Sequence, residues 1–352
     1  MAGIRVFTFE NTSDGIMTNL IQITNSSGAS VTLCDFGATI ISVKVPDKNR
    51  QLRDVVLGYS HLKYYDCGGT FFGAVVGRCC GRIGRGRFVL NGREYYLPLN
   101  NGNNHLHGGW NNFSRKVWNY EIKGNKVVFY LESPDNDQGY PGNMKIWVSY
   151  EFDDNCILRI EYSAVSDKDT ICNLTNHSYF NLNGHGSGDV LNHSLKINAE
   201  EFVGINRELI PTGDIIPVKN TPFDFTSEKT IGEGLAKKDG QLEFCNGFDH
   251  AFVLNNTGAG LQYAATAKSA DSGIMLECRT TCPVIHLYTA NYMKVNRYMG
   301  KDGASYGNNG GFCFETQGFP DAVNHQEFPS VVLKKDEKFY SVTEFDFSYS
   351  ES

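Results

Sequence analysis

The sequence predicts an all-β fold, because it is rich in glycine, rich in aromatic residues and punctuated by closely spaced turn signals. The chain has 352 residues, of which 37 are glycine, and aromatic residues make up 12%. Aromatic side chains favour strands, whereas long stretches of strong helix formers are missing. Turn signals recur about every 8–15 residues, as in a large sandwich or barrel. We therefore expect residues 1–352 to form a single β-sandwich domain.

Three local patterns predict β-hairpins. Asn91-Gly92 separates two short strand-like segments, and this dipeptide tolerates the positive φ angles of a type I′ turn. A second hairpin is expected around Gly124-Asn125, and a third around the polar turn at 153–155. Only residues 226–238 resemble a helix, and two glycines within that stretch weaken the prediction.

Composition and motifs argue against several other classes of protein. No G-x-G-x-x-G motif follows a strand, so a dinucleotide-binding α/β fold is not expected. The net charge of -7 argues against a nucleic-acid partner. No apolar run approaches the ~18 residues of a membrane span. The first residues lack the hydrophobic segment of a signal peptide, so we expect a cytoplasmic protein without a membrane partner.

The ten cysteines are expected to be free thiols. Disulfide frameworks belong to small secreted domains that cannot build a sufficient core. Here the cysteines lie within apolar segments, as Cys313 does between two phenylalanines. Cys79 and Cys80 are adjacent rather than spaced as in C-x-x-C, which disfavours a zinc ribbon or a thioredoxin-like redox site.

Two segments in the first third of the chain contain candidate site residues. Arginines alternate with glycines at 77–87. This segment is either a tight corner with solvated arginines or a loop from which one arginine reaches into a pocket. His105 and His107 would share one face of a strand, which is metal-ligand spacing. A cupin would add a glutamate shortly after them, where Asn111 and Asn112 stand instead, so no metal is expected.

Later segments add groups that are suited to acid–base chemistry. Strand periodicity puts Thr175, His177 and Tyr179 on one face of a polar segment. Glu315 ends an aromatic strand, where it either lies on a solvated face or is buried for a task such as general base catalysis. Asp249 adds a second carboxylate. Together these groups are typical of acid–base work on a neutral, polyhydroxylated ligand.

Short strings along almost the whole chain occur in the order seen in one known family. Two are highly specific, namely Thr-Asn-His-Ser-Tyr-Phe-Asn at 175–181, and Glu-Thr-Gln at 315–317 followed by Pro-Asp-Ala-Val-Asn at 320–324. Shorter matching strings lie at 37–39, 54–58, 77–78, 82–83, 106–109, 139–142, 209–213 and 247–250. In these strings the chain resembles the aldose 1-epimerase (galactose mutarotase) family.

The resemblance implies a galactose mutarotase-like β-sandwich whose open face holds a sugar. It implies that Glu315 is the general base and His177 the general acid, with His107 assisting beside the ring oxygen. Arg82 and Asp249 would bind sugar hydroxyls. Proton transfer alone opens and recloses the ring, so neither a cofactor nor a metal is implied. The expected partner is a small aldohexose, galactose or glucose, and the chain would act as a monomer or a dimer.

Positions near the implied site depart from the family pattern. Gly81 stands where the family often has asparagine, and Cys282 and His286 stand where it often has glutamine. We expect these three residues to contact the sugar, and Tyr179 to form an apolar wall beside the ring. The type of reaction is therefore better defined than the choice of sugar.

The sequence leaves two other functions open. A sugar-binding or sensing protein would keep the same scaffold without useful turnover. A hexose-6-phosphate 1-epimerase would need extra basic residues at the mouth of the pocket. The presence of Glu315, His177 and His107 together favours the enzyme, because binding alone does not need all three.

Overall fold

Strands dominate the computed structural model, which describes residues 3–67, 69–255, 258, 260–293 and 298–350. The strands up to residue 176 are β1 (Gly3–Asn11), β2 (Met17–Thr24), β3 (Ser30–Cys34), β4 (Thr39–Pro46), β5 (Leu52–Asp54), β6 (Val75–Val76), β7 (Arg82–Ile83), β8 (Arg87–Leu90), β9 (Arg93–Tyr96), β10 (His105–Leu106), β11 (Asn119–Lys123), β12 (Lys126–Ser133), β13 (Met144–Phe152), β14 (Ile157–Ser166), β15 (Thr170–Ile171) and β16 (Thr175–Asn176). The later strands are β17 (Ser194–Ile197), β18 (Glu201–Ile205), β19 (Pro211–Pro217), β20 (Lys229–Thr230), β21 (Asp249–Val253), β22 (Gln262–Lys268), β23 (Ile274–Thr280), β24 (Val284–Tyr288), β25 (Cys313–Gln317), β26 (Val332–Leu333) and β27 (Lys338–Tyr349).

The α-helices of the described residues are short. They are α1 (Leu62–Cys67), α2 (Ile231–Leu235) and α3 (Gly240–Cys245). Within the described ranges, none of them is long and apolar enough to cross a membrane. The predicted helical stretch contains α2, which begins with a capping box formed by Thr230 and Glu233. The prediction missed α1 and α3, because helices of six residues are too short to show a helical hydrophobic period.

Three antiparallel sheets contain most of the strands. Their strand orders are β1-β2-β3-β4-β5, β11-β12-β13-β14-β27-β23-β22-β17-β20 and β19-β18-β21-β24-β25. We call the last of these the site sheet, because it positions the cleft described below. In the nine-stranded sheet β27 lies between β14 and β23, so the end of the chain joins the two halves of that sheet.

One large hydrophobic core joins the three sheets. Along β14 half-buried and buried residues alternate strictly, so one face of the strand is covered and the other is partly solvated. The core takes Ile21 from the first sheet, Ile160 from the nine-stranded sheet and Phe252 from the site sheet, all essentially inaccessible. Burying each such side chain contributes roughly 1.5–3 kcal/mol. Sheets that cover one another in this way confirm the predicted β-sandwich.

Local predictions from turn residues are also confirmed. Asn91 and Gly92 have φ angles of 53° and 75°, as a type I′ turn requires, and they connect β8 to β9. The other two predicted hairpins are β11 with β12 and β13 with β14. All ten cysteines are free thiols, and nine of them are buried.

The segment of alternating glycines and arginines divides its arginines between two environments. Arg78 is only 2% exposed and donates hydrogen bonds to Ser133 and to backbone carbonyls, so it is structural. Arg87 is exposed and pairs with Glu94. Neither of the two interpretations of this segment therefore applies to all of its arginines.

Gly73 connects the first sheet to the segment that contains His177. Its N–H donates to the carbonyl of His177 at 2.9 Å, and its carbonyl accepts from the N–H of Ile40 at 2.8 Å. Asn176 Nδ2 also donates to that carbonyl, at 2.7 Å. The φ angle of Gly73 is 65°, and a Cβ there would lie 1.9 Å from the carbonyl oxygen of Ile40. This close approach requires glycine.

We expect Gly73→Ala to lower the free energy of unfolding by about 3–4 kcal/mol, because a Cβ would force the Ile40 backbone away. Gly15 also has a positive φ, 85°, but a Cβ there would meet nothing within 4 Å. Gly15→Ala is therefore the matched control and should cost about 1 kcal/mol. Urea unfolding measures both variants. Equal losses would show that the close approach at Gly73 has no energetic weight.

Candidate active site

A cleft on the site sheet collects most of the predicted site residues. Strands β18, β21, β24 and β25 form its floor, and residues from 69–71, 81–82, 101–107, 177–179 and 209–211 contribute to its walls. The cavity measures about 200 Å³ and is open to solvent. Of the nine residues predicted to act in catalysis or binding, eight line it.

His177 and Glu315 face each other in the cleft. Nε2 of His177 lies 3.6 Å from Oε1 of Glu315, and the two residues are only 4% and 3% exposed. Phe180 and Phe312 exchange two backbone hydrogen bonds of 2.7 and 2.9 Å. His177 precedes this bridge by three residues and Glu315 follows it by three, so the antiparallel register brings them opposite each other.

Glu315 points into the cleft because of the alternation along β25. Phe314 belongs to the large hydrophobic core, and Thr316 bonds to the hydroxyl of Thr343 on the nine-stranded sheet. The neighbouring positions Glu315 and Gln317 consequently face the other way, into the cleft. The same alternation along β24 presents His286 and Tyr288 to the cleft.

His107 lies in the cleft because of a backbone turn that the sequence did not predict. The expectation that His105 and His107 share one face of a strand is wrong, since β10 ends at Leu106 and His107 has a φ of 50°. The imidazole of His105 instead bonds to the carbonyl of Pro98 and the hydroxyl of Tyr140. A left-handed residue after a strand changes the direction of the chain, which separates the two rings.

His107 is neutral and has a defined tautomer. The backbone N–H of Gly81 donates to its Nδ1 at 3.2 Å, so the ring proton is on Nε2. Burial, followed by the nearby His177 and Arg82, holds the pKa of His107 well below its ordinary value. His107 can therefore donate a hydrogen bond in the cleft without carrying a charge.

Asp249 is held by two partners. His286 Nε2 lies 2.7 Å from one carboxylate oxygen, and Arg82 Nη1 lies 3.5 Å from the other. Burial would raise the pKa of Asp249, but the charge of Arg82 and the hydrogen bond from His286 outweigh it and lower that pKa. Arg82 also donates to Asn101 at 3.0 Å. Asp249 is therefore ionised and fixed in orientation.

Asp249 acts on His286 in the opposite direction. Burial alone would lower the pKa of His286, but the hydrogen bond and the charge of Asp249 raise it above its ordinary value. Nδ1 of His286 is buried and has no hydrogen-bond partner among the described residues. The ring thus has one nitrogen committed to Asp249 and one left for a ligand.

Two further predicted residues line the cleft, and one does not. Gly81 contributes backbone, and the ring of Tyr179 stacks on that of His177 with 5.0 Å between centroids. Cys282, expected to contact the sugar, is buried outside the cleft wall. It lies in the bend before β24, where its N–H donates to Thr280 Oγ1. A bend does not continue the strand alternation that presents His286, so the expectation for Cys282 is corrected.

Other residues line the cleft that the sequence did not predict. Gln317 and Tyr288 line the cleft, and both stand two positions from a predicted site residue on the same strand. A two-residue period would have found them. Asn101, which accepts from Arg82, has no such signal, because it lies in an irregular loop. Thr175 is buried but outside the cleft, since β16 ends at Asn176 and the strand alternation stops there.

The same cluster has the composition of a metal site. His107, His177 and Glu315 offer ligand atoms within 4.8 Å of one another. Imidazole and carboxylate groups are ligands for zinc and for non-haem iron. They are also the groups that proton transfer needs. Geometry alone fits both uses, and the chelation experiment below distinguishes them.

Residues 19–346 of the chain match the family described as aldose 1-epimerase. The chain is 42% identical to the galactose mutarotase of Sus scrofa over 318 residues, which cover 90% of this chain and 91% of that protein. It is 36% identical to the aldose 1-epimerase of Escherichia coli (strain K12) over 337 residues, which cover 95% and 96% of the two chains.

Solved structures agree with these relatives. An aldose epimerase homologue from C. elegans superposes with a TM-score of 0.87 at 32% identity, covering 94% of this chain and 99% of its own. A galactose 1-epimerase from Lactobacillus acidophilus superposes with a TM-score of 0.85 at 29% identity, covering 99% and 100%.

We expect Asp249→Asn to lower the pKa of His286 from above to below its ordinary value, because burial, the largest influence on that pKa, then outweighs the weaker effect of the Glu315 charge. In the wild type the raised pKa of His286 adds stability in full below its unfolded-state pKa, and this stability is lost as pH rises through the folded-state pKa. The variant should reverse that trend. Nuclear magnetic resonance titration of the imidazole nitrogens measures the shift, with the exposed Asp154→Asn as control. An unchanged pKa would contradict the account of this pair.

Proposed function

Because the chain belongs to the aldose 1-epimerase family and is an isomerase of that type, we propose that it interconverts the anomers of galactose and, as a second substrate, glucose. The observation that carries this proposal is the 3.6 Å separation of His177 Nε2 and Glu315 Oε1 in the cleft. Identity of 42% to a galactose mutarotase supports galactose as the sugar.

The reaction itself explains why an acid and a base at this separation are useful. A cyclic aldose opens when the anomeric hydroxyl loses a proton and the ring oxygen gains one. Both oxygens are bonded to the same carbon, C1, so the two groups that serve them must lie close together. General acid and base groups act within hydrogen-bond reach of their protons, about 2.6–3.2 Å. A sugar whose C1 lies beside Glu315 and His177 meets that requirement.

We assign the steps as follows. The carboxylate of Glu315 accepts the proton of the anomeric hydroxyl, and the C1–O1 bond becomes a carbonyl. The bond between C1 and the ring oxygen breaks, and that oxygen takes the proton of His177 Nε2. The open aldehyde rotates about C1–C2. The ring then closes on the other face of the carbonyl, Glu315 returns its proton to O1, and His177 recovers its own.

The surrounding groups support binding rather than proton transfer. His107, neutral with its proton on Nε2, is suited to donate a hydrogen bond beside the ring oxygen. Arg82 and Asp249 present a fixed donor and acceptor for sugar hydroxyls. His286 adds its Nδ1, which has no hydrogen-bond partner in the described part of the chain. Gly81 leaves room beside the ring, and Tyr179 provides an aromatic wall.

The charge of the cleft favours a neutral sugar over a sugar phosphate. Among the described residues that line it, Arg82 is the only lysine or arginine, and it is already paired with Asp249. A phosphate dianion would need additional positive charge or backbone donors. Ten free thiols also support our proposal that the enzyme works in the cytoplasm, where cysteines remain reduced.

Polarimetry of freshly dissolved α-galactose and α-glucose tests the proposal. The enzyme should accelerate the change in optical rotation for both sugars without changing the final value, because it alters only the rate. Rotation that changes no faster than in buffer, for a protein that binds galactose, would identify a sugar-binding protein instead.

We expect Glu315→Gln and His177→Asn each to lower kcat by ~10²–10⁴-fold, the usual contribution of general acid–base catalysis. Glu315→Gln keeps the shape of the side chain but cannot accept the anomeric proton, and His177→Asn keeps a hydrogen-bond donor but cannot readily deliver a proton. Galactose binding should fall much less, because Arg82 and Asp249 remain. The double variant should be little worse than either single variant if the pair acts as a unit.

Matched controls for these variants are the exposed Glu121→Gln and His61→Asn, which should keep wild-type rates. Circular dichroism checks the fold of every variant. Turnover near the wild-type rate in Glu315→Gln, with the fold intact, would contradict the assigned base.

We also expect activity to need no metal, since hemiacetal opening is served by proton transfer. Prolonged dialysis against a strong chelator should leave the rate in polarimetry unchanged. Elemental analysis of the dialysed protein is the control that the metal ions have been removed completely. A rate that falls on dialysis and returns with zinc would instead make His107, His177 and Glu315 a ligand set.

A further inference from the structure

Gln317 presents an unused hydrogen-bond donor to the cleft. The residue is 1% exposed and lines the cavity. Its Nε2 is buried and has no hydrogen-bond partner among the described residues. Leaving an amide donor buried and unsatisfied destabilises a folded protein, so such a group calls for an explanation.

The orientation of the Gln317 amide is fixed by Cys80. The Sγ of Cys80 lies 3.0 Å from Oε1 of Gln317. Burial raises the pKa of the Cys80 thiol well above its ordinary value, so the sulfur keeps its proton and acts as the donor. The carbonyl oxygen of the amide therefore faces Cys80, and the NH₂ group is directed elsewhere.

The free NH₂ group lies toward the cleft wall at Gly81. A Cβ added to Gly81 would be 3.9 Å from Nε2 of Gln317, and both residues line the cavity. Glu315 and Gln317 stand two positions apart on β25, so they face the same side at a separation of roughly 6.5–7 Å. A sugar with its C1 at Glu315 would therefore present a hydroxyl of another carbon to Gln317.

We propose that Gln317 is a substrate-specificity residue whose Nε2 donates a hydrogen bond to a non-anomeric hydroxyl of the bound aldohexose, with Cys80 as the positioning residue that orients the amide. The proposal rests on the sugar-binding role of the cleft given above. A site built to bond a hydroxyl discriminates against sugars that lack it, because the buried donor is then left unpaired. Gln317 consequently acts on affinity and on the choice of sugar rather than on proton transfer.

The decisive experiment combines Gln317→Met with galactose deoxygenated at one carbon at a time. Methionine keeps the length of the side chain but removes the donor. For galactose the variant should raise KM and the calorimetric Kd about 10-fold, with kcat within about 2-fold, because the lost contact is equal in ground and transition states. For the deoxy sugar that lacks the bonded hydroxyl, the substitution should cause no further rise in KM or Kd.

Gln22→Met is the matched control. Gln22 lies on β2, away from the cleft, and its amide bonds to Thr32. This variant should leave KM unchanged for every sugar. A thermal melt of the sugar-free protein adds a second readout, since the variant removes an unsatisfied donor together with the weak hydrogen bond from the Cys80 thiol, so its melting temperature should stay close to that of the wild type. Gln317→Leu replaces it if the methionine variant does not fold.

Several outcomes would overturn the proposal. If Gln317→Met keeps the KM and Kd of the wild type, then Nε2 of Gln317 does not donate a hydrogen bond to the sugar. If Gln317→Met weakens the binding of every deoxy sugar as much as it weakens the binding of galactose, then the amide does not bond to any single hydroxyl. If the wild type binds galactose without turnover, the epimerase proposal fails, but weaker binding in Gln317→Met still supports Gln317. A wild type that binds no sugar overturns both.

Cys80 gives an independent test of the positioning role. Cys80→Ser keeps a donor to Oε1 and should keep a KM near that of the wild type. Cys80→Ala frees the amide to rotate and should raise KM about 3- to 10-fold. Equal KM values in the two variants would contradict the proposed role of the thiol.

Discussion

The site depends on the pair of backbone hydrogen bonds between Phe180 and Phe312. Phe180 also bridges to Val56, so the segment that contains His177 is held between the first part of the chain and β25. Both phenylalanines are buried in the large core, where no water can replace these backbone hydrogen bonds. We propose that this bridge sets the separation of His177 and Glu315. Backbone pairing, rather than the movement of a flexible loop, holds the two side chains near each other.

A second constraint is electrostatic. The cleft contains several ionisable groups within a small, largely buried volume, and its electrostatics define the charge of two of them. His107 is kept neutral by burial and by its neighbours, whereas Asp249 is kept ionised by Arg82 and His286. Beside these two groups, we propose that Glu315 and His177 are the pair that exchanges protons with a sugar. Oriented groups of this kind need little rearrangement during a reaction.

The sequence predicted what depends on neighbours along the chain. Asn91-Gly92 defines its own turn, and alternation defines the buried face of β14. The contact between His177 and Glu315 depends instead on pairing between distant segments, which only the family resemblance suggested. Cys282 shows the limit of that resemblance, because a bend before β24 removes it from the cleft.

The sheet topology bears on the domain prediction. The nine-stranded sheet includes β11 near residue 119 and β27 near the end of the chain, and the core joins it to the other two sheets. A division of the chain into separately folding parts would cut through this sheet. We therefore propose that residues 1–352 form one domain, and that the cleft is supported by elements from its whole length.

The central claim is that Glu315 and His177 together open the bond between C1 and the ring oxygen. Galactose labelled with heavy oxygen at the anomeric position tests it directly, with carbon magnetic resonance reporting both the anomers and the label. In the proposed reaction O1 never leaves C1, so the enzyme should interconvert the anomers many times while the label is retained. Loss of the label to water at the rate of anomer interconversion would show that the C1–O1 bond breaks, which would contradict the assigned roles.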